Sequence, residues 1–222
     1  MAVTAVLFDI DGTLVDSNYL HVESWGHAFA TLGVPVDQWR IHRCIGMDSD
    51  KLLEAMLGDR VAELGERAKD LHSSYYSDLV PRLRPFEGAR ELLETLAARG
   101  AVVVLATSAP EDELAVLRDV LQVDDQVAHM TSSGDVDEAK PEPDLIEVAL
   151  AKAGVEAKDA VLVGDTIYDV MAASRAGVRT IGVLSGGVSA AELLDAGAVA
   201  VYDDAAALLA GLDSSALAGL PQ

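Results

Sequence analysis

The sequence predicts an α/β fold: a Rossmann-like parallel sheet core with an α-helical subdomain inserted in it. Short apolar, β-rich runs alternate with longer amphipathic segments, which is the pattern of strand-helix-strand units around a buried parallel sheet. The first two runs are separated by far more than the roughly dozen residues that one crossover needs, so we expect an insertion there. The 222 residues, half of them hydrophobic, are enough for a large buried core.

Five apolar runs are predicted to be buried strands, and a weaker run is predicted to be a sixth. The strong runs span 5–8, 102–105, 160–163, 180–183 and 199–202, and the weaker one spans 126–130. Amphipathic segments between them predict helices over 89–99, from Pro110 onward, over 144–153 and over 169–176. Glycines at the ends of three of these segments suit left-handed C-terminal caps. The Ala- and Leu-rich last twenty residues are predicted to form a packing helix.

The insertion runs from Ser17 to about Arg82 and reads as helical over 21–32, 48–57 and 61–79. It has few β-branched runs. We therefore expect two domains: a core made of residues 1–16 and 83–222, and a helical domain made of residues 17–82.

Charge and composition limit the classes of partner. Sixteen Lys and Arg against 37 Asp and Glu give a net charge of -21, which argues against nucleic acid and anionic membrane as partners. A single cysteine, Cys44, rules out an intrachain disulfide and gives no sign of an oxidising compartment. The first residues lack a basic region, and no apolar run reaches the ~20 residues that span a bilayer. We expect a cytoplasmic protein, a monomer or a weak homodimer.

Polar side chains follow the predicted strands at their carboxyl ends, where parallel α/β sheets bind ligands. These are Asp9 and Asp11 after the first run, Thr107 and Ser108 after the second, and Asp165 and Asp169 after the 160–163 run, with Lys140 in a preceding loop. Clustered carboxylates repel one another unless a cation lies between them, and ligation by oxygen alone favours a hard ion such as Mg2+. Thr107, Lys140 and backbone N–H groups after Asp9 would stabilise charge on a transferring phosphoryl group.

Each of these residues also has a structural interpretation. Asp and Thr frequently cap helices, and most lysines are solvated. The ordered set favours a phosphoryl-transfer site. For Asp16, a structural and a functional role are equally compatible with the sequence.

The segment Asp9-x-Asp11-Gly12-Thr13-Leu14-x-Asp16-Ser17 resembles the first signature of the haloacid dehalogenase-like superfamily of phosphatases. Thr107, Lys140 before Pro141, and Gly164-Asp165 with Asp169 resemble its second, third and fourth signatures in order. The insertion resembles the helical cap of the subfamily that holds phosphoglycolate phosphatases and β-phosphoglucomutase. Dehalogenases lack the second Asp of the first signature, so Asp11 argues against dehalogenation.

The resemblance implies a role for each matching residue. Asp9 would be the nucleophile that forms an aspartyl-phosphate, and Asp11 would be the general acid and base. Thr107, Ser108 and Lys140 would bind the phosphoryl group. Mg2+ would be held by Asp9, the Asp11 backbone carbonyl and Asp165, with Asp169 near the ion or its waters. The implied substrate is a small phosphorylated metabolite, a phosphoglycolate or a sugar phosphate.

The helical insertion offers weaker candidates for substrate contact. Arg40, His42, Arg43 and Lys51 form a basic cluster in an acidic chain, and Arg43 and Lys51 are its candidate substrate-binding members; a solvated helix face is the alternative. His21, with Trp25, falls at a spacing that resembles β-phosphoglucomutase, although both types are common core residues.

Two other functions are considered beside a hydrolase. A phosphosugar mutase of the β-phosphoglucomutase type is ranked lower because residues 46–51 do not match its substrate loop. A non-enzymatic, receiver-like phosphoacceptor is ranked lower still. Receivers carry their acidic pair before the phosphorylated Asp and lack both a general acid two residues after it and a large insertion.

Overall fold

A computed structural model describes residues 4–136, 138 and 140–219. Its six strands are β1 (Ala5–Phe8), β2 (Val102–Ala106), β3 (His129–Thr131), β4 (Ala160–Gly164), β5 (Arg179–Val183) and β6 (Ala200–Tyr202). They form one parallel sheet in the order β3-β2-β1-β4-β5-β6. This order reverses between β1 and β4, as in doubly wound folds, and it confirms the predicted α/β core.

The strand sequences explain the order of the sheet. β1 and β4, which lie side by side at its centre, are buried along their whole length, as strands covered on both faces must be. The weaker run differs from its prediction, since the strand begins only at His129. Gln126 and Val127 donate their N–H groups to the Val123 carbonyl in a turn instead.

Two compact units can be distinguished: one holds the chain up to Asp16 together with the chain from Arg84 onward, and the other is Ser17–Leu83. The second unit is helical, with α1 (Asn18–Thr31), α2 (Gln38–His42), α3 (Ser49–Leu57) and α4 (Val61–Leu79). The short helix α2 was not predicted. The unit has its own apolar core, which includes Trp25, Phe29, Ile41, Leu53 and Leu64. The assignment of this unit as a substrate-selecting cap remains a prediction.

The first unit surrounds its sheet with helices α5 (Ala89–Ala98), α6 (Glu111–Leu121), α7 (Asp144–Ala153), α8 (Ile167–Arg175), α9 (Ala190–Ala196) and α10 (Ala205–Ala210). Helix α8 begins two residues before its predicted start, because Thr166 caps it. The chain after α10 forms a 3-10 turn at Leu212–Ser214, so the terminal helix is shorter than predicted over the described residues; positions 220–222 of that prediction lie outside them. Among the described residues, none of the helices is both long and apolar enough to cross a bilayer.

The two segments that lead out of the first unit and back into it run side by side. Asp16 N–H donates to the Arg84 carbonyl (3.0 Å), and Phe86 N–H donates to the Leu14 carbonyl (2.9 Å). The Arg84 guanidinium donates from Nε and Nη2 to Asp16 Oδ2 at 3.1 and 2.7 Å. Asp16 therefore takes a structural role at this junction.

Candidate active site

A tight turn after β1 presents Asp9 and Asp11 at the carboxyl edge of the sheet. Asp9 N–H donates to the Val163 carbonyl (3.0 Å), which extends the pairing of β1 with β4 by one residue. Gly12 then adopts a φ of +75°, a conformation that glycine tolerates best. The N–H groups of Leu14 and Val15 return to the Ile10 carbonyl at 2.8 and 3.0 Å. The turn thus fixes Asp9 beside the strand from which Asp165 follows.

Lys140 is a buried lysine at the centre of the site, with 1% of its surface exposed. Its Nζ donates to Asp9 Oδ1 (2.5 Å) and to the Ala106 carbonyl (3.0 Å), and it lies 2.8 Å from Asp169 Oδ1. Burial alone would lower the pKa of Lys140, but the carboxylates of Asp169 and Asp9 outweigh it and raise that pKa. These contacts contradict the interpretation of Lys140 as a solvated residue.

Asp9 is in an environment that resists its ionisation. Burial raises the pKa of the Asp9 carboxyl to about 7; Lys140 acts against this rise, and Asp169 and Asp11 add to it. A further positive charge at the site would, like that of Lys140, lower the pKa of Asp9.

Asp165 and Asp169 are fixed by neighbouring hydroxyl groups. Thr13 Oγ1 donates to Asp165 Oδ1 at 2.9 Å, which ties the turn after β1 to the end of β4. Asp169 Oδ2 accepts from the Thr166 N–H (3.0 Å) and from Thr166 Oγ1 (2.6 Å) in a capping box of α8. Asp169 therefore has the helix-capping role considered for it, while its Oδ1 faces Lys140.

The carboxylates of Asp9, Asp165 and Asp169 fit a cation. All three are buried, and one oxygen from each lies within 4.8 Å of the others. When all three carboxyl groups are ionised, the one positive charge of Lys140 leaves two negative charges uncompensated, which is costly in a buried site. Oxygen donors of this kind match a hard divalent ion. Asp11 lies on the same turn, and the assignment of its backbone carbonyl to the ion stays a prediction.

Thr107 and Ser108 follow β2 and are available to an anion. Thr107 is buried, and its Oγ1 accepts the Ala109 N–H at 3.0 Å; since a hydroxyl also donates, its proton can still reach a phosphoryl oxygen. Ser108 Oγ is buried and lacks a hydrogen-bond partner within the described part of the chain. A buried orphan hydroxyl is expensive unless a ligand satisfies it.

The candidate residues of the second unit have other contacts. His21 Nδ1 lies 3.1 Å from His72 Nε2, and the His21 ring stacks on Tyr76 at 4.1 Å. Trp25 is 5% exposed and stacks on His72. These contacts support the core-packing interpretation of both residues.

Arg43 lies on the surface of the second unit and Lys51 is half-buried there. Their assignment to substrate binding stays a prediction, as does that of His21.

Sequence reasoning missed the segment that follows β5. Gly186 lies so close to Asp165 that a Cβ built on it would be 1.6 Å from Asp165 Oδ2, and Ser185 Oγ donates to the Gly12 carbonyl at 2.6 Å. The available signal was position, because these residues come directly after the predicted strand 180–183, where ligands of parallel sheets bind. Thr13 belongs to the first signature, but its contact with Asp165 was not predicted.

A doubly wound sheet with buried acidic residues and a lysine at its switch point is typical of an α/β enzyme. Comparison with known proteins agrees: residues 6–183 match the model of the haloacid dehalogenase-like hydrolase family. A phosphoglycolate phosphatase from Rhodospirillum rubrum is 31% identical over 215 residues, which cover 92% of this chain and 88% of that protein. The pyrophosphatase PpaX from Halalkalibacterium halodurans is 28% identical over 182 residues, covering 81% and 83% respectively.

The solved structure of a hydrolase from Pseudomonas syringae superposes with a TM-score of 0.90 at 36% identity and covers 95% of this chain and 98% of that one. The chain belongs to the haloacid dehalogenase-like hydrolase family. This confirms the predicted family and the prediction that the chain is an enzyme of the phosphatase class.

Proposed function

We propose that this enzyme is a Mg2+-dependent phosphatase that hydrolyses a small phosphomonoester through an aspartyl-phosphate on Asp9. The observation that carries the proposal is the position of Lys140 Nζ, 2.5 Å from Asp9 Oδ1 and 2.8 Å from Asp169 Oδ1 in a buried site. A lysine so placed neutralises part of the acidic cluster and offers a donor to a phosphoryl group beside the nucleophile.

In the first half-reaction an Asp9 carboxylate oxygen attacks phosphorus as the bond from phosphorus to the ester oxygen breaks. The leaving alcohol takes a proton from the Asp11 carboxyl group. Lys140, Thr107 and Ser108 would donate hydrogen bonds to the phosphoryl oxygens, which suits the orphan hydroxyl of Ser108.

In the second half-reaction Asp11 accepts a proton from water, whose oxygen attacks phosphorus as the bond to Asp9 breaks. Phosphate leaves and both carboxyl groups return to their starting states. Asp9, Asp165 and the Asp11 carbonyl would hold Mg2+ with Asp169 near it, and the ion would supply positive charge against the phosphoryl oxygens. Thr13 keeps Asp165 oriented for this role.

The proposed substrate class rests on the relatives and on the positive charges available at the site. One relative is named for phosphoglycolate and another for pyrophosphate, both small anions that a buried lysine and a divalent ion would attract against a net charge of -21. We propose phosphoglycolate or a sugar phosphate as the substrate. Release of phosphate from phosphoglycolate, pyrophosphate and hexose phosphates, including 2-deoxy forms, would rank these candidates.

The nucleophile is tested by Asp9→Asn, which we expect to abolish turnover of every substrate while the far-UV spectrum and unfolding temperature stay native-like. Asp16→Asn is the matched control from the same segment, because Asp16 pairs with Arg84 at the surface, and it should retain activity. Near-normal activity of Asp9→Asn would contradict the mechanism.

The metal is tested on the wild-type enzyme. Excess chelator should stop catalysis and Mg2+ should restore it, whereas Ca2+, which accepts more ligands in looser geometry, should bind and inhibit. Full activity in excess chelator would contradict the proposed ion.

The mutase is a second candidate, favoured only by the resemblance of His21 and Trp25. Conversion of β-glucose 1-phosphate to the 6-phosphate, without net phosphate release, would support it. Rapid turnover of p-nitrophenyl phosphate with Mg2+ would rule out a receiver-like phosphoacceptor.

A further inference from the structure

We infer that Ser185 and Gly186, in the loop between β5 and α9, are positioning residues that hold the Asp11-Gly12 turn and the Asp165 carboxylate in their working geometry. This inference rests on the proposed function of the site. No signature of the sequence includes this loop, and the residues reach two different site segments from a third strand.

Gly186 can approach Asp165 closely because it has no side chain. The residue is buried, and a Cβ built on it would lie 1.6 Å from Asp165 Oδ2 and 2.4 Å from Asp165 Cγ. No side chain fits in that space, so its backbone forms a wall against one carboxylate oxygen. The other oxygen accepts from Thr13 at 2.9 Å. Asp165 is thus confined between the turn after β1 and the loop after β5.

Ser185 acts on the turn that contains Asp11, the proposed general acid. Its Oγ donates to the Gly12 carbonyl at 2.6 Å, one residue after Asp11. The backbone hydrogen bonds from Leu14 and Val15 to Ile10 close the turn from within, and the Ser185 hydrogen bond ties the Gly12 carbonyl to the loop after β5 from outside. Ser185 would thereby restrict the backbone next to Asp11 and, through it, the Asp11 carbonyl and side chain.

The loop is itself held at both ends, which lets it act as a wall. Leu184 N–H donates to the Tyr202 carbonyl (3.1 Å), and Gly187 N–H returns to the Leu184 carbonyl (2.9 Å) to close a turn. Ser189 then starts α9 with a capping box formed with Glu192. A displacement of Asp165 is therefore the easier response to any atom added at Gly186.

The first experiment measures Mg2+ binding without substrate, by calorimetry and by the rise in unfolding temperature that Mg2+ produces. Gly186→Ala should weaken Mg2+ binding about tenfold to a hundredfold, the range found when a partner that orients a metal ligand is lost. Gly134→Ala is the matched control, since a Cβ there would meet its nearest neighbour at 3.6 Å, and it should bind Mg2+ like the wild type. Equal affinity in Gly186→Ala would overturn the inference, whereas absence of both Mg2+ binding and phosphatase activity in the wild type would overturn the proposed function.

A metal-free double-mutant cycle keeps the assignment of Gly186 testable if Mg2+ binding is lost through poor folding. Asp165→Gly removes the three Asp165 atoms that lie nearest to the new methyl group, Oδ2, Cγ and Cβ. Gly186→Ala should therefore lower the unfolding temperature in the wild-type background and leave it unchanged in the Asp165→Gly background. An equal loss in both backgrounds would assign Gly186 to loop packing and overturn its positioning role.

Ser185 is tested by its hydroxyl group. Ser185→Ala should lower kcat for p-nitrophenyl phosphate about tenfold with little change in KM, because a misplaced acid slows chemistry more than binding. Ser185→Thr, which keeps the hydroxyl, should recover most of the loss. Equal activity of Ser185→Ala and wild type, or a loss that Ser185→Thr does not recover, would overturn this half of the inference.

Discussion

At the scale of single residues, the most consequential contact is the one that Lys140 makes with two buried carboxylates. A lysine with 1% of its surface exposed is tolerated only because Asp9 and Asp169 lie within 2.8 Å of its Nζ. The converse also holds, since without the lysine the two carboxylates would be buried next to one another with less compensation.

Lys140→Met is therefore expected to impair stability and chemistry together. In the metal-free enzyme the unfolding free energy should fall by about 3–5 kcal/mol, the cost of breaking a buried ion pair from one side. Urea unfolding in chelator measures this. Activity should fall about 10²- to 10³-fold on every substrate, as expected when a donor to the transferring group is lost.

Lys152→Met is the control for that variant, because Lys152 pairs with Asp135 at the surface and surface pairs contribute little. The double variant Lys140→Met/Asp9→Asn should recover part of the lost stability. A Lys140→Met enzyme as stable as the wild type would contradict the buried-pair argument.

The ordered motif was enough to predict which residues meet, but not how each is held. The sequence predicts that four residues lie close together, because each follows or precedes a strand of one parallel sheet. These are Asp9, Lys140, Asp165 and Asp169. The capping box of Asp169 and the contact of Gly186 with Asp165 depend on side-chain rotamers and on the close approach of two backbones, which residue order does not encode. The sequence shows a glycine at position 186, but only the structure shows that a side chain there would clash with Asp165.

At the scale of elements, helices α1 and α4 of the second unit are joined by a histidine pair. His72, on α4, is 6% exposed, and its Nε2 lies 3.1 Å from His21 Nδ1 on α1. Burial lowers the pKa of His72 to about 2, and His21 adds to that effect. His72 is therefore neutral in the folded unit, whereas in the unfolded chain it would titrate near its ordinary value of about 6.5.

This difference predicts how the stability of the second unit depends on pH. Between about pH 2 and 6.5 the unfolded chain binds the extra proton, so stability is complete above pH 6.5 and falls as the pH drops below it. The slope from His72 is about 1.4 kcal/mol per pH unit. His72→Gln should remove it, and His27→Gln, at an exposed position of α1, should not.

Tryptophan fluorescence provides the measurement. The chain has two tryptophans, Trp25 and Trp39, both in the second unit, so their signal during urea unfolding reports on that unit. A slope between pH 5 and 6.5 that is the same in His72→Gln and wild type would contradict the prediction.

Helices and strands with strong periodicity were predicted closely, and short elements were not. Helix α7 has its predicted bounds of Asp144–Ala153 because Gly154 ends an amphipathic segment. Helix α2 has only five residues, too few for a helical period to be recognised in a sequence. β3 is similarly short and takes its place from pairing with β2.

At the scale of the whole molecule, the distribution of basic residues suggests which of them select the substrate. The chain has a net charge of -21, yet Arg40, Arg43 and Lys51 lie close together in the sequence of the second unit. We propose that Arg43 and Lys51 contact an anionic or hydroxyl group of the substrate and take no part in phosphoryl transfer.

Replacement of Arg43 or Lys51 by Ala should then lower kcat/KM for the physiological substrate about tenfold to a hundredfold, the scale of one charge-assisted hydrogen bond. Turnover of p-nitrophenyl phosphate, which lacks such a group, should barely change. Arg60→Ala provides a control on the same unit, because Arg60 pairs with Glu63 at the surface. An equal loss of activity on all substrates would assign the residue to folding of the unit. Unchanged activity on both substrates would show that the residue belongs to a solvated helix face.

The parallel register of β1 has a consequence for how the chain is made. Ala5 pairs with Val102 on one side and Ala160 on the other, and the second unit is synthesised in between. The strand that precedes Asp9 thus leaves the ribosome long before either neighbour, while residues 17–83 form an apolar core among themselves. During that interval Ala5–Phe8 is an unpaired apolar segment, and such segments invite aggregation or chaperone binding. Because Asp9, the proposed nucleophile, comes directly after this first strand, the proposed catalytic segment takes its final place in the sheet only after most of the chain has been made.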